Sequence, residues 1–172
     1  MLDRIIDTSE RWIITVGLAS ATLLLFANVV ARYMFDSGFT WVLEAVQYLF
    51  AWVVLVGAAY GTKEGVHLGI DIMVEKFTPK NQRRITLLAM ACSLSFIVTV
   101  LILSIRYTIK IYEWGDLSLD LQIPQWIPYL AIPVGLSLMT YHMINVGIKL
   151  WKGEITRIHK KEADDYVGEI QE

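Results

Sequence analysis

Apolar and polar positions segregate along this 172-residue chain into four long uncharged stretches separated by charged connections. The stretches are Ile13–Ala31, Ala45–Thr62, Ile85–Ile105 and Trp126–Ile148, and they hold 19, 18, 21 and 23 residues. A helix rises about 1.5 Å per residue, so a hydrocarbon core about 30 Å thick is crossed by roughly 20 apolar residues. Backbone groups in lipid must pair within their own segment, which makes uncharged runs of this length spanning helices. The pattern predicts an all-α integral membrane protein with four transmembrane helices, over residues 13–31, 42–62, 85–107 and 125–149. One membrane domain, residues 1–152, is expected to precede a polar tail, residues 153–172.

The segment ahead of the first span, MLDRIIDTSER, mixes Asp3, Asp7 and Glu10 with Arg4 and Arg11. A secretory signal has a basic leader and a shorter apolar run, so this helix is expected to be retained. The basic residues set the orientation. Twelve of the fifteen Lys and Arg fall in the N-terminal segment, the loop between spans 2 and 3, and the tail. Arg32, Arg106 and Lys110 are left for the opposite side. The positive-inside rule then makes both termini cytoplasmic in a multi-pass membrane protein. Trp12, Trp41, Trp114, Trp126 and Trp151 lie near span ends, at the headgroup level such rings favour, whereas Trp52 lies near mid-membrane and reads as a packing residue.

Composition narrows the chemistry. Apolar residues make up 55% of the chain and the formal net charge is −2, which offers nothing to nucleic acid. Cys92 is the single cysteine, so neither an intrachain disulfide nor a CxxC pair can form. No charged residue sits mid-span, where a transporter usually holds its solute and ions. No nucleophile–base set is visible, so the chain does not read as an enzyme. Neither a cofactor nor a metal ion is implied.

The connections carry the candidate sites. Glu44 falls in the first turn of the second helix, where the helix dipole favours a carboxylate, and it can pair with Arg32 across the short first loop. Gly57 and Gly61 lie one turn apart on span 2, a spacing that lets another helix approach. After span 2, Lys63, His67, Asp71 and Glu75 recur every four residues, with Val66, Ile70, Met73, Val74 and Phe77 on another face. That predicts an amphipathic helical extension lying near the membrane surface, with a short extended stretch over His67–Ile72 as the alternative, since that segment also alternates imperfectly. His67 and Asp71 read as a hydrogen-bonded surface pair, since two ligands alone do not make a metal site. The second outer loop is acidic, with Glu113, Asp116 and Asp120. Pro133 removes the usual donor to the Tyr129 carbonyl and should bend span 4.

The ordered set Arg32-Tyr33-Met34-Phe35, Trp41 and Glu44, Gly57-Ala58-Ala59, then Lys63, His67 and Asp71 resembles the small membrane subunit of tripartite ATP-independent periplasmic (TRAP) transporters. One departure is that Leu43 stands where the family often has the first of two acids, so only Glu44 carries over. The resemblance implies a scaffold beside a large, many-span membrane subunit, in sodium-coupled import of an organic acid such as a C4-dicarboxylate or a sialic acid. A periplasmic solute-binding protein would deliver the solute, and membrane lipids would border the seam. Arg32, Trp41, Glu44, Trp52, Gly57, Gly61, Lys63, His67 and Asp71 become the proposed partner or lipid interface. Two other readings stand beside it. One is a redox anchor holding haem through His142 and a second histidine. The other is a small transporter that assembles from copies of itself.

Overall fold

In the computed structural model, residues 2–63 and 79–152 are described. They form α1 (Leu2–Met34), α2 (Trp41–Lys63), α3 (Pro79–Trp114), the single turn α4 (Trp126–Tyr129) and α5 (Ala131–Lys152). Four of these helices are long and apolar enough to cross a membrane, over Ile6–Met34, Trp41–Thr62, Arg84–Trp114 and Trp126–Ile148. The expected amphipathic extension, with His67 and Asp71, and the polar tail lie outside the described residues.

Two helices are longer than hydropathy suggests. The charged leader, with Asp3, Asp7 and Glu10, continues α1 back to Leu2, so Glu10 is a helical residue. At the other end of the protein α3 runs on to Trp114, and Arg106 and Lys110 lie on its final turns instead of in a loop. Both side chains are exposed, and their long stems let the charges reach out of the apolar layer. At about 1.5 Å per residue these helices measure roughly 50 Å, well beyond a bilayer core.

The helices form a row. Helix α2 packs against α1 on one flank and α5 on the other, and α5 packs in turn on α3. Among the described residues α1 packs on neither α3 nor α5, and α2 does not pack on α3. Ala21 on α1 with Val42 and Val46 on α2 forms a small buried cluster, flanked by Leu24, Leu25 and Leu49. The α2–α5 seam is closer. A Cβ added to Gly135 would lie 2.7 Å from the Leu55 Cβ and 3.1 Å from its backbone. On the opposite flank a Cβ on Gly17 would lie 2.6 Å from a Val53 methyl. These two glycines let the middle of the row close up, because a small residue brings helix backbones together.

The helix is interrupted at Leu130, immediately after Tyr129, whose carbonyl loses the Pro133 donor. Leu130 keeps a helical backbone, and its N–H donates to the Trp126 carbonyl at 3.1 Å. The interruption is therefore a local break within one span, Trp126–Ile148.

Candidate functional site

Two carboxylates, one at each end of the row, join parts of the chain that are far apart in sequence. At the end holding the N-terminus, α1 turns Glu10 onto the same face as Ile14, Gly17 and Ala21, the face that packs toward α2. The Glu10 Oε1 and His142 Nε2 atoms lie 2.8 Å apart, with the side chains 1% and 4% exposed. Glu10 Oε2 is buried without a hydrogen-bond partner. The Tyr141 ring meets the His142 ring at 5.6 Å, tilted by 66°. Nearby on the exposed side of the α1–α2 seam, the Arg11 guanidinium donates to the Tyr60 hydroxyl at 2.7 Å. This end therefore carries a hydrogen-bonded link between α1 and α5, and another between α1 and α2.

At the opposite end Glu44 uses both oxygens. The Tyr48 hydroxyl, one turn along α2, donates to Oε1 at 2.7 Å. The backbone N–H of Leu119 donates to Oε1 at 3.1 Å, and those of Asp120 and Leu121 donate to Oε2 at 2.8 Å each. Three successive N–H groups converge on one carboxylate, an arrangement that makes a good anion receptor. The loop that supplies them is itself braced. Ser118 N–H donates to the Ile123 carbonyl at 2.8 Å, and Gln125 N–H to that of Asp116 at 3.0 Å. The Gln122 amide donates to the Ser118 and Leu119 carbonyls at 3.1 and 2.7 Å. Gln122 itself adopts a left-handed backbone, with φ 54°.

The Arg32–Glu44 pairing anticipated from sequence is not formed, because backbone donors and Tyr48 fill the carboxylate. Arg32 instead lies on the last turn of α1 against Gly38. Trp41 opens α2, and its ring meets Phe39 at 6.1 Å. Trp52 is half-buried on α2. Gly57 faces this chain's own α1, where an added Cβ would meet only the Ile14 Cδ1, at 4.0 Å. Gly61 lies in the last turns of α2 and Lys63 ends the helix. The glycines in closest approach, Gly17 and Gly135, stand one turn from an alanine, Ala21 and Ala131, and not from another glycine, so a search for glycine pairs passes over them while a small-residue spacing finds both. Glu10 escaped for a related reason: its neighbours Asp7 and Arg11 remove it from any hydropathy window. Its helical register with Ile14, Gly17 and Ala21 was the available signal.

Chemically, both carboxylates bind within the protein. They fix helices and a loop relative to one another. His142 Nε2, the atom a haem iron would take, is engaged with Glu10.

The family profile described as "Tripartite ATP-independent periplasmic transporters, DctQ component" matches residues 21–153. The chain is 31% identical to the C4-dicarboxylate TRAP transporter small permease protein DctQ of Vibrio cholerae, covering 92% of this chain and 79% of that protein. It is 29% identical to the protein of the same description from Rhodobacter capsulatus, over 84% and 77% of the two chains. It is also 25% identical to the isethionate TRAP transporter permease protein DctMQ of Oleidesulfovibrio alaskensis, where the match covers 78% of this chain and 22% of the longer protein.

Proposed function

This chain belongs to the DctQ component family of the tripartite ATP-independent periplasmic transporters, and from that membership we propose that it braces the large membrane subunit during sodium-coupled import of a C4-dicarboxylate. The family supplies a transporter component, not an enzyme, and the chain is a multi-pass inner-membrane protein and small permease subunit. Small permease subunits of this family work with a large membrane subunit and a periplasmic binding protein.

The observation that carries the scaffold reading is the single row of helices. A row leaves two broad faces uncovered, and its edge helices are the most open. Leu23 and Phe26 on α1 are each 66% exposed, and Phe96 on α3 is 70% exposed. Such faces offer area to a neighbouring membrane protein and enclose no pathway of their own. Glu10 and Glu44 are each engaged with this chain's own groups, which favours an internal brace over a solute site. The excess of Lys and Arg at the N- and C-terminal end supports cytoplasmic termini. In that orientation Arg32, Trp41 and Glu44 organise the periplasmic rim. Lys63, His67 and Asp71 organise the cytoplasmic rim near lipid headgroups, followed by the polar tail, residues 153–172.

The solute reading rests on the names of the two DctQ relatives, and a sialic acid is the competitor. The deciding experiment is uptake in proteoliposomes. This chain, its large subunit and the periplasmic solute-binding protein together should accumulate labelled succinate under an inward sodium gradient. The chain alone should accumulate none. Sodium-driven uptake by the chain alone would defeat the scaffold reading, and uptake of sialic acid in place of succinate would defeat the solute assignment.

A further inference from the structure

Helix α3 carries charge where it faces the bilayer. Arg106, Lys110 and Glu113 follow one another at four and three residues, so they form one stripe along the helix, and all three are exposed. The opposite face, with Ser104, Thr108 and Ile111 buried, is the one that packs on α5. Trp114 ends α3, and the Tyr112 and Trp126 rings meet edge-on at 5.7 Å, which marks the headgroup level at this end. Along the axis Arg106 starts about 12 Å and Lys110 about 6 Å beneath Trp114. Their stems therefore begin in the apolar layer, while Glu113 adjoins the water. A cation on a lipid-facing helix is costly unless it finds a polar partner. Among the described residues neither cation has an ion-pair partner in this chain.

Beside the stripe lies an apolar groove of about 380 Å³ between α3 and α5. Ile105 and Ile109 form one wall, and Leu130, Pro133, Val134 and Leu138 form the other. Two hydroxyls border it, and both are satisfied on their own helices. Thr108 Oγ1 donates to the Ser104 carbonyl at 2.9 Å, and Ser137 Oγ donates to the Pro133 carbonyl at 2.6 Å. The groove thus offers hydrocarbon contact and no free polar group. Ile109 joins it to the stripe, standing between Arg106 and Lys110 in sequence. The two features match two parts of one molecule. Arg and Lys bind phosphate through charge-assisted hydrogen bonds. A headgroup amine lies on the water side of its phosphate and is drawn to a carboxylate. Two cations followed by an acid toward the water repeat that order. An anionic headgroup lacking an amine would meet Glu113 as a like charge.

We propose that this stripe and groove hold one zwitterionic, amine-bearing phospholipid of the chemistry of phosphatidylethanolamine. Its phosphate sits on Arg106 and Lys110, its ammonium on Glu113, and one acyl chain in the groove against Ile109 and Val134. The site needs only that the chain spans the membrane, and it is independent of which end is cytoplasmic and of the solute carried. Native mass spectrometry of the purified full chain, stripped of lipid and titrated with defined phospholipids, tests it. The unmutated chain should retain phosphatidylethanolamine in preference to phosphatidylglycerol. R106Q/K110Q should bind phosphatidylethanolamine about tenfold more weakly. E113Q should cancel the preference between the two headgroups. V134W, which fills the groove and leaves the stripe intact, should weaken both lipids alike. The three stripe residues are exposed, so their substitution does not disturb the packed face of α3. Equal retention by the unmutated and R106Q/K110Q chains would overturn the proposal, as would a preference of the unmutated chain for phosphatidylglycerol. A second measurement uses the complex with the large subunit. K110C should not cross-link to that subunit with a short bifunctional maleimide, and an efficient cross-link would show that protein covers the stripe in place of lipid and overturn the proposal, with the scaffold reading left standing.

Discussion

Glu10 and His142 sit on helices that do not pack on each other, yet their side chains meet at 2.8 Å. Helix α2 lies between α1 and α5 in the row, so this hydrogen bond holds the edge helix to the interior independently of the apolar seams. Removing one partner leaves the other buried and unpaired, which costs about 1–3 kcal/mol. E10A should therefore lower the thermal unfolding midpoint of the purified protein in detergent. E10Q should lower it less, because the amide can still donate to Nε2. Equal midpoints for E10A and the unmutated protein would show that the bond adds nothing to stability.

The row itself was only partly legible in the sequence. Hydropathy located four spans because lipid demands long uncharged runs. It could not order them, since in lipid the packed and the lipid-facing sides of a helix are both apolar. Thus Ile14 and Phe26 look alike in sequence, although one faces α2 and the other is exposed. Polar residues were more informative, but only locally. The position of Glu44 in the first turn of α2 was evident, whereas its receptor lies 75–77 residues away along the chain. No local pattern announces three N–H groups brought in by a distant loop.

Glu44 gives a site-specific test. With E44A the N–H groups of Leu119, Asp120 and Leu121 lose their acceptor, and the loop loses its fastening to α2. Hydrogen exchange read by mass spectrometry should accelerate across 117–123 and change little in the middle of α3. E44Q retains one carbonyl oxygen and should fall between the two. Unchanged exchange across the loop in E44A would mean that the Gln122 and Ser118 bonds hold it alone.

Arg11 and Tyr60 provide a smaller effect at the other end. Their hydrogen bond is 2.7 Å long, and the guanidinium carbon also lies 5.4 Å from the ring centroid. Y60F removes the hydroxyl but keeps the ring, so the cation–π contact survives. Y60A removes both. The expected order of unfolding midpoints is unmutated protein, then Y60F, then Y60A, and a Y60F midpoint as low as that of Y60A would assign the whole effect to the hydrogen bond.

The glycines give the sharpest contrast. An alanine at Gly135 would place its Cβ 2.7 Å from that of Leu55 and 3.1 Å from the Leu55 backbone, which has no rotamer to change. Helices α2 and α5 would have to separate, at a cost of about 1–3 kcal/mol. At Gly17 the obstacle is a Val53 methyl 2.6 Å away, on a β-branched side chain with one preferred helical rotamer, so G17A should also destabilise, but less than G135A because no backbone stands in the way. At Gly57 the nearest atom is the Ile14 Cδ1, 4.0 Å away, which is ordinary contact. An alanine there also favours helix over glycine, so G57A should be neutral or slightly stabilising. Measuring the three unfolding midpoints under one condition tests the order of the row directly. A G57A variant that unfolds earlier than G135A would mean that the α1–α2 seam, not the α2–α5 seam, is the tight one.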